Sequence, residues 1–413
     1  MNARPASLWL QQSAPFAQGR PLPAHTVDVA IVGGGIAGIS TALHLAAAGA
    51  EVALLEARAV CSRASGRNDG QLLLGLGEHY NRIVGQFGDE RARMLWDFLA
   101  RNHDATRAAI AQHGIDCSLV RGGGLRLAET AHEADELRAA AALLAREGIA
   151  HELLSAQDVL ARFPAGRGYF GALFLPGEAI LQPVAMVRGF AAAAAAAGAA
   201  LVEDAPVERV LGSAGEFTVH VAGGRTLRAR TVVLCTSALA PQLDPTGFLR
   251  RIVFPFRGQV IATDPLPDSV LALLPQCAMS SNFCYEYFRV HGRRLLLGGM
   301  RWSVKGEELG IVDDDATNPE VTANLRAYAA RHFACADRLS FTNVWTGIMA
   351  GTPDGLPLLG GIPGAPGLFT LSAFNGYGLS FAFLAGQCLA TTIVDGHCDD
   401  PAMPLFTPRR FAS

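Results

Sequence analysis

Apolar and polar positions along this chain follow two rhythms. Residues 27–32 read VDVAIV, a short β-branched run suited to a strand buried on both faces. ISTALHLAAAGA (39–50) has helix-forming composition and ends near a glycine, and EVALLEA (51–57) is a second buried strand. GGGIAG (33–38) stands between the first strand and the helix. The order strand, glycine-rich turn, helix, strand is a βαβ unit. Helical patterns recur at 91–114, about 131–147, 184–199, roughly 317–333 and 379–394. Strand patterns occupy GGLRLA (123–128), the extended YFGALFLPGEAILQP (169–183) and ALVEDAPVERVL (200–211). GEFTVHVAGGRTLRARTVVLCTSA (215–238) reads as a hairpin with a Gly-Gly turn and then a buried strand. A β-rich middle follows, RIVFPFRGQVIATD (251–264) and NFCYEYFRVHGRRLLLGGMRW (282–302). The end holds WTGIMAGTPDGLPLLG (345–360), the strand GLFTLSAF (367–374), the turn NGYG and a last helix.

The segments that extend the dinucleotide fold come early, in the middle and last. Those resembling an independent antiparallel sheet lie between them. We therefore expect two interleaved domains: 1–80, 184–248 and 340–413 in one, 81–183 and 249–339 in the other. With 413 residues, two domains are also the natural prior. No internal repeat is visible, and the alanine run 191–197 reads as a small-residue helix.

Composition narrows the class. Half of the residues are hydrophobic and 17% are charged, which describes a well-buried globular protein. The net charge is −3 and no basic run exceeds two residues, so nothing suggests a nucleic-acid surface. Lys305 is the only lysine. The eight cysteines form no CxxC pair and no compact spacing, so we expect reduced residues in a cytoplasmic protein and no metal site. The opening MNARPASLWLQQSAPF lacks an apolar core of the signal-peptide kind. Residues 355–394 carry no charge, yet Pro357, Pro363, Pro366 and many glycines break the first half. A buried strand, turn and helix is expected there, not a membrane span.

The glycines carry the first chemistry. Gly33, Gly35 and Gly38 match GxGxxG: one permits the tight turn, one admits a pyrophosphate, one lets helix and strand pack closely. The helix start, with Ile36 and Ala37, turns free N–H groups toward the phosphates. Glu56 ends the second strand eighteen residues after Gly38, where a carboxylate accepts hydrogen bonds from ribose hydroxyls. Ala57 and Arg58 follow it. The unit specifies an adenine dinucleotide, and FAD and NAD both fit it.

Several segments together resemble the D-amino-acid oxidase superfamily of FAD-dependent amine and amino-acid oxidases. They are the βαβ unit, TPDGLPLLG (352–360), YFRVHGRRLLLGG (287–299) and FNGYGLSFAFLAG (374–386). SLWLQQSAPF (7–16) and ASGRNDGQ (64–71) look closest to its gamma-glutamylputrescine oxidase-like branch, with the glycine- and sarcosine-oxidase-like branches nearby. The resemblance implies a Rossmann-like FAD-binding domain interleaved with an antiparallel-sheet substrate domain, an α/β plus α+β fold. Departures are clear. Gly376-Tyr377-Gly378 stands where the family has Gly-His-Gly, and no arginine precedes TPDG. Met349, Ala350 and Gly351 occupy the place where the sarcosine-oxidase branch attaches flavin through cysteine, so non-covalent FAD is expected, with Cys61 the one cysteine to watch.

The resemblance places Ser65, Gly66, Arg67, Asn68, Gly70 and Gln71 along the flavin. It adds Val207, Thr236 and Gly347 to the cofactor set. The helix start at Gly376, Tyr377, Gly378 and Leu379 would face the negative charge of reduced flavin around N1 and O2. Tyr285, Tyr287 and Arg289 alternate on one strand and suit substrate contact, with Arg289 matching a family arginine that holds a carboxylate. Tyr377 would narrow the pocket, His44 would pack, His79 could reach the site, and Trp345 and Met349 line either core or pocket. The close branch has glycine at Asp69, and a carboxylate there disfavours reduced flavin unless it points away or pairs with Arg67. The expected activity is oxidation of the C–N bond of an amine or amino acid by hydride transfer to flavin N5, giving an imine. O2 is the expected acceptor, although no lysine obviously matches the one that promotes oxygen reactivity in the sarcosine-oxidase branch. A flavin dehydrogenase, a biosynthetic oxidase on an unusual amino acid, or a flavin-binding subunit of a hetero-oligomer are the alternatives.

Overall fold

The computed structural model describes residues 7–412; the first six residues of the N-terminal segment and Ser413 lie outside them. The predicted βαβ unit is present as strand Val27–Val32, helix Ile36–Ala47 and strand Val52–Leu55. All six positions of Val27–Val32 except Asp28 are buried, as expected for a central strand.

Two eight-stranded sheets organise the molecule. The first runs Leu358–Gly361, Leu368–Ser372, Arg225–Leu234, Val27–Val32, Val52–Leu55, Ala200–Val202. Its inner pairings are parallel, and the hairpin strands Val207–Ser213 and Glu216–Val221 extend it from Arg225–Leu234. The Gly-Gly turn falls where predicted, at Gly223 and Gly224, both with positive φ. Three stretches far apart in sequence thus build one sheet, and Thr370 fastens two of them by donating to the Leu234 carbonyl at 3.0 Å.

The second sheet runs Phe341–Gly351, Phe254–Thr263, Arg294–Gly298, Glu286–His291, Ala278–Ser281, Gly124–Ala128, Gly171–Leu175, Glu152–Ser155. It is antiparallel except at one seam, where Ala278–Ser281 lies parallel to Gly124–Ala128. That seam joins the two separate chain segments that make this sheet. One strand departs from the expected division. Phe341–Gly351 falls within 340–413, yet it pairs along its length with Phe254–Thr263 in the second sheet. Helix Asp89–Gln112 departs in the other direction and packs against helix Gly378–Asp395.

Gly378–Asp395 is long and apolar enough to cross a membrane, but just over half of it is buried within this fold. It packs on Ile36–Ala47, where the Ser40 hydroxyl donates to the Phe383 carbonyl at 2.6 Å. His44 belongs to the same contact, its ring edge-on to Phe383.

Candidate active site

Gly38 explains why the first helix can sit where it does. A Cβ on it would lie 2.0 Å from the Gly33 carbonyl oxygen and 3.3 Å from Ile31, so only glycine allows this approach. Gly33 adopts φ +112°, and a side chain there would strike the Cys235 carbonyl. The turn is therefore wedged between its own helix and the end of Arg225–Leu234. Gly35 is the helix N-cap and carries no side-chain cap; the Ser65 hydroxyl accepts from the Ile36 N–H at 3.0 Å. Glu56 is buried at its strand end. Its two oxygens take the N–H groups of Gly34 (2.7 Å) and Arg58 (2.9 Å), and burial holds its carboxyl above the ordinary value.

The loop 64–71 is held by its carbonyls. Ser7 donates to Gly66, Trp9 to Asn68 (2.6 Å), Trp345 to Arg67 (2.8 Å) and Arg289 to Gly70 (2.8 Å). Four side chains from three distant stretches thus tether the loop's backbone. The loop lines the cleft. Gly70 has φ +74°, and a Cβ there would lie 2.3 Å from the Leu181 carbonyl.

A cleft of about 260 Å³, open to solvent, runs between the two sheets. Gly35, Ile36 and Ala37 line one end; Ser65, Arg67, Asn68 and Gln71 line the middle; Gly376, Tyr377, Gly378 and Leu379 line the other, with Gly347 and Tyr287. Helix Gly378–Asp395 begins there without a side-chain cap, leaving its first N–H groups turned to the cleft. Tyr377 rests against Gly77, where a Cβ would overlap its ring and hydroxyl.

Other expected residues stand off the cleft wall. Gly33, Gly38, Gly66 and Gly70 shape its backbone. Glu56 and Arg58 lie at the far strand end, and Ala57 is exposed. Val207 opens a hairpin strand paired with Val221. Thr236 is more telling: its hydroxyl is buried with no partner, directly beside the Gly33 turn. An orphaned hydroxyl, a helix start with glycine at its N-cap and a glycine cradle fit the phosphates of an adenine dinucleotide.

Arg289 is corrected by the structure. It is 1% exposed and is absent from the cleft wall. Its Nη1 donates to the Gly70 carbonyl (2.8 Å) and the Leu181 carbonyl (2.7 Å), and its guanidinium stacks over Trp9 at 5.5 Å. It is a loop anchor, and its strand neighbour Tyr287 alone of the pair reaches the cleft. Tyr285 lies just before the strand and also lines the cleft. Arg67 lines the cleft with its guanidinium engaged: it donates to the carbonyls of Ser62 (3.0 Å), Asp314 (2.8 Å) and Thr346 (3.0 Å), with the Asp314 carboxylate 3.8 Å away. Asp69 therefore has no ion pair with Arg67; it borders the cleft.

The wall also holds residues the sequence reading passed over. Phe256, Gly258 and Val260 project from one strand at every second position, a period-2 signal that was present in FRGQV. Asn375 joins them, and Arg301, which the sequence offers as a charge near the flavin in place of a lysine, lies on the wall stacked over Phe256 at 4.9 Å. Asn375 accepts the Thr352 N–H at 3.1 Å, tying the TPDG corner to the helix start. TPDG itself holds the C-terminus: Asp354 pairs with Arg410 at 2.7 and 3.1 Å. Met349 lines the cleft, whereas Trp345 is wholly buried. His79 is buried outside the wall. The cysteines at the wall are Cys235 and Cys284, not Cys61, and burial pushes their thiols up to about 12 and about 11. Lys305 is exposed and away from the cleft. No cluster of metal-binding side chains occurs among the described residues.

Residues 28–392 match the family model described as FAD dependent oxidoreductase (DAO). The chain is 29% identical over 370 residues to the gamma-glutamylputrescine oxidoreductase of Escherichia coli strain K12, covering 88% of this chain and 83% of that one. It is 29% identical over 377 residues to the glycine oxidase of Geobacillus kaustophilus strain HTA426, covering 89% and 93%. The crystal structure of glycine oxidase from Geobacillus kaustophilus superposes with a TM-score of 0.79 at 26% identity, over 94% of this chain and 99% of that one.

Proposed function

The chain belongs to the FAD dependent oxidoreductase (DAO) family and is an FAD-dependent enzyme of the amine and amino-acid oxidase type, and from that premise we propose its reaction. The enzyme oxidises the C–N bond of a small amine or amino acid to an imine, which water hydrolyses to a carbonyl compound. Bound FAD supplies a two-electron acceptor whose N5 takes the hydride from the substrate α-carbon. The single observation that carries this reading is the continuous cleft. One end presents the dinucleotide turn, and the other an uncapped helix start facing an aromatic chamber.

The chain's own residues position and tune. The Gly33–Gly38 turn, Thr236 and the N–H group at Ala37 would hold the phosphates. Loop 64–71 would lie along the flavin, its carbonyls already satisfied elsewhere. The helix start at Gly378 and Leu379 would favour negative charge on a flavin edge bound beside it, by on the order of 1 kcal/mol. Phe256, Tyr287 and Tyr377 wall the chamber against water. No cleft cysteine is poised as a thiolate, so we propose non-covalent attachment.

Incubation with a panel of amines and amino acids tests this, with detection of the carbonyl product. A substrate deuterated at the α-carbon should slow flavin reduction several-fold; no isotope effect and no carbonyl from any panel member would refute the reaction. We take O2 as the acceptor, giving H2O2. The absence of a lysine from the cleft wall favours a second reading, a dehydrogenase with another acceptor. One H2O2 per carbonyl formed in air separates the two.

A further inference from the structure

We propose that Asp69 binds the ammonium group of the substrate and takes one of its protons. The inference rests on the amine-oxidising reading above. Asp69 borders the cleft at the middle of loop 64–71, between the dinucleotide turn and the aromatic chamber. It is the only carboxylate residue on the cleft wall among the described residues. Its carboxylate accepts the Gln71 backbone N–H at a long 3.4 Å, with the Gln71 side-chain amide and its own N–H adjacent, and the Arg289 guanidinium is the nearby charge that favours its ionised form. No cation lies within ion-pair distance of it among the described residues.

The charged neighbours are otherwise occupied. Arg289, beneath the loop, donates to the carbonyls of Gly70 and Leu181. Arg67, two residues away, is turned onto Asp314. Arg301, across the chamber, donates to the Glu307 carbonyl at 3.1 Å, with the Glu307 carboxylate at 3.6 Å. The hydroxyl of Tyr287 stands within electrostatic reach of both Asp69 and Arg301 and stays protonated, because burial and Asp69 raise its pKa. Cys284, also on the wall, is neutral because burial pushes its thiol up to about 11. The wall therefore holds one under-satisfied anion, and a primary or secondary ammonium matches it in charge and in donors.

Burial pushes the Asp69 carboxyl up to about 6, so it is ionised near neutral pH and is a better base than an exposed aspartate. In the transfer, an N–H bond of the ammonium breaks and an O–H bond forms on Asp69. The electron pair stays on nitrogen, leaving the free amine that loses hydride. No oxidant enters this step.

The FAD-loaded enzyme tests it by binding as well as by rate. tert-Butylammonium has no hydrogen on its α-carbon and cannot turn over; tert-butanol is its neutral counterpart. Perturbation of the flavin spectrum reports both dissociation constants. Wild type should bind the cation at least tenfold more tightly, and Asp69→Asn should erase the preference. Asp69→Gly should do the same and serves if the asparagine variant misfolds. In a reactive substrate, kcat/KM of wild type should level off above about pH 6, whereas that of Asp69→Asn should keep climbing as the amine itself deprotonates. A cation preference absent from wild type, or surviving in both variants, overturns the proposal. Since the binding arm needs no turnover, its failure alone removes Asp69's role, while failure of every amine to reduce the flavin removes the reaction.

Discussion

Arg289 donates to the buried carbonyls of Gly70 and Leu181; truncating it leaves the Leu181 carbonyl without this donor, while the Gly70 carbonyl keeps the Leu181 N–H at 2.8 Å. An unsatisfied buried acceptor costs about 1–3 kcal/mol. Arg289→Ala should therefore lower the melting temperature and the flavin content together. A stable, flavin-replete variant with only a raised KM would return the residue to substrate binding. The strand alternation that singled out Arg289 was real, since it shares a face with Tyr287. Alternation reports which face a side chain takes, not how deep it lies, and a carbonyl anchor and a carboxylate clamp look alike in sequence. Glu286, on the opposite face, gives a pH test. Burial pushes its carboxyl from 4.5 to about 7, and one oxygen has no partner. Its folded state therefore keeps a proton that the unfolded chain releases. Stability from this group is present below pH 4.5 and is lost as pH rises through about 7, by at most about 3 kcal/mol. Glu286→Gln should flatten that slope, measured as urea midpoints at pH 5 and pH 8. An unchanged slope contradicts the assignment.

At the scale of elements, loop 64–71 joins parts that sequence order keeps far apart. Ser7 and Trp9 reach it from the N-terminal helix Leu8–Gln12, Trp345 from the second sheet. Removing residues 1–13 should free two of its carbonyls, so flavin should be lost while circular dichroism stays close to wild type. Retention of full flavin would show that the N-terminal helix does not position the loop. Gly38 sits at the other junction. Gly38→Ala forces the helix away from the turn and should cost about 1–3 kcal/mol, with loss of flavin. These glycines were legible because close approach leaves a spacing in sequence. The loop's tethers were not, because a hydrogen bond from residue 9 to residue 68 leaves no periodic trace.

At the scale of the molecule, the interleaving was visible in outline. Buried strands appeared early, in the middle and late, and all three joined one sheet through parallel pairings. Strand Phe341–Gly351 was assigned by its place in the chain, yet it joins the other sheet. A period-2 apolar run names no partner, and here the partner lies some eighty residues upstream. The parallel seam at Ala278–Ser281 was hidden for the same reason. What these pairings produce is a single cleft between two sheets, with a dinucleotide turn at one end and an aromatic chamber at the other.

Anaerobic titration of the purified holoenzyme with a mixed library of amines and amino acids tests that arrangement most directly. We expect flavin present at one per chain, and its absorbance bleached by at least one primary or secondary amine at two electrons per flavin. A colourless protein, or a flavin that no member of the library reduces, would contradict it.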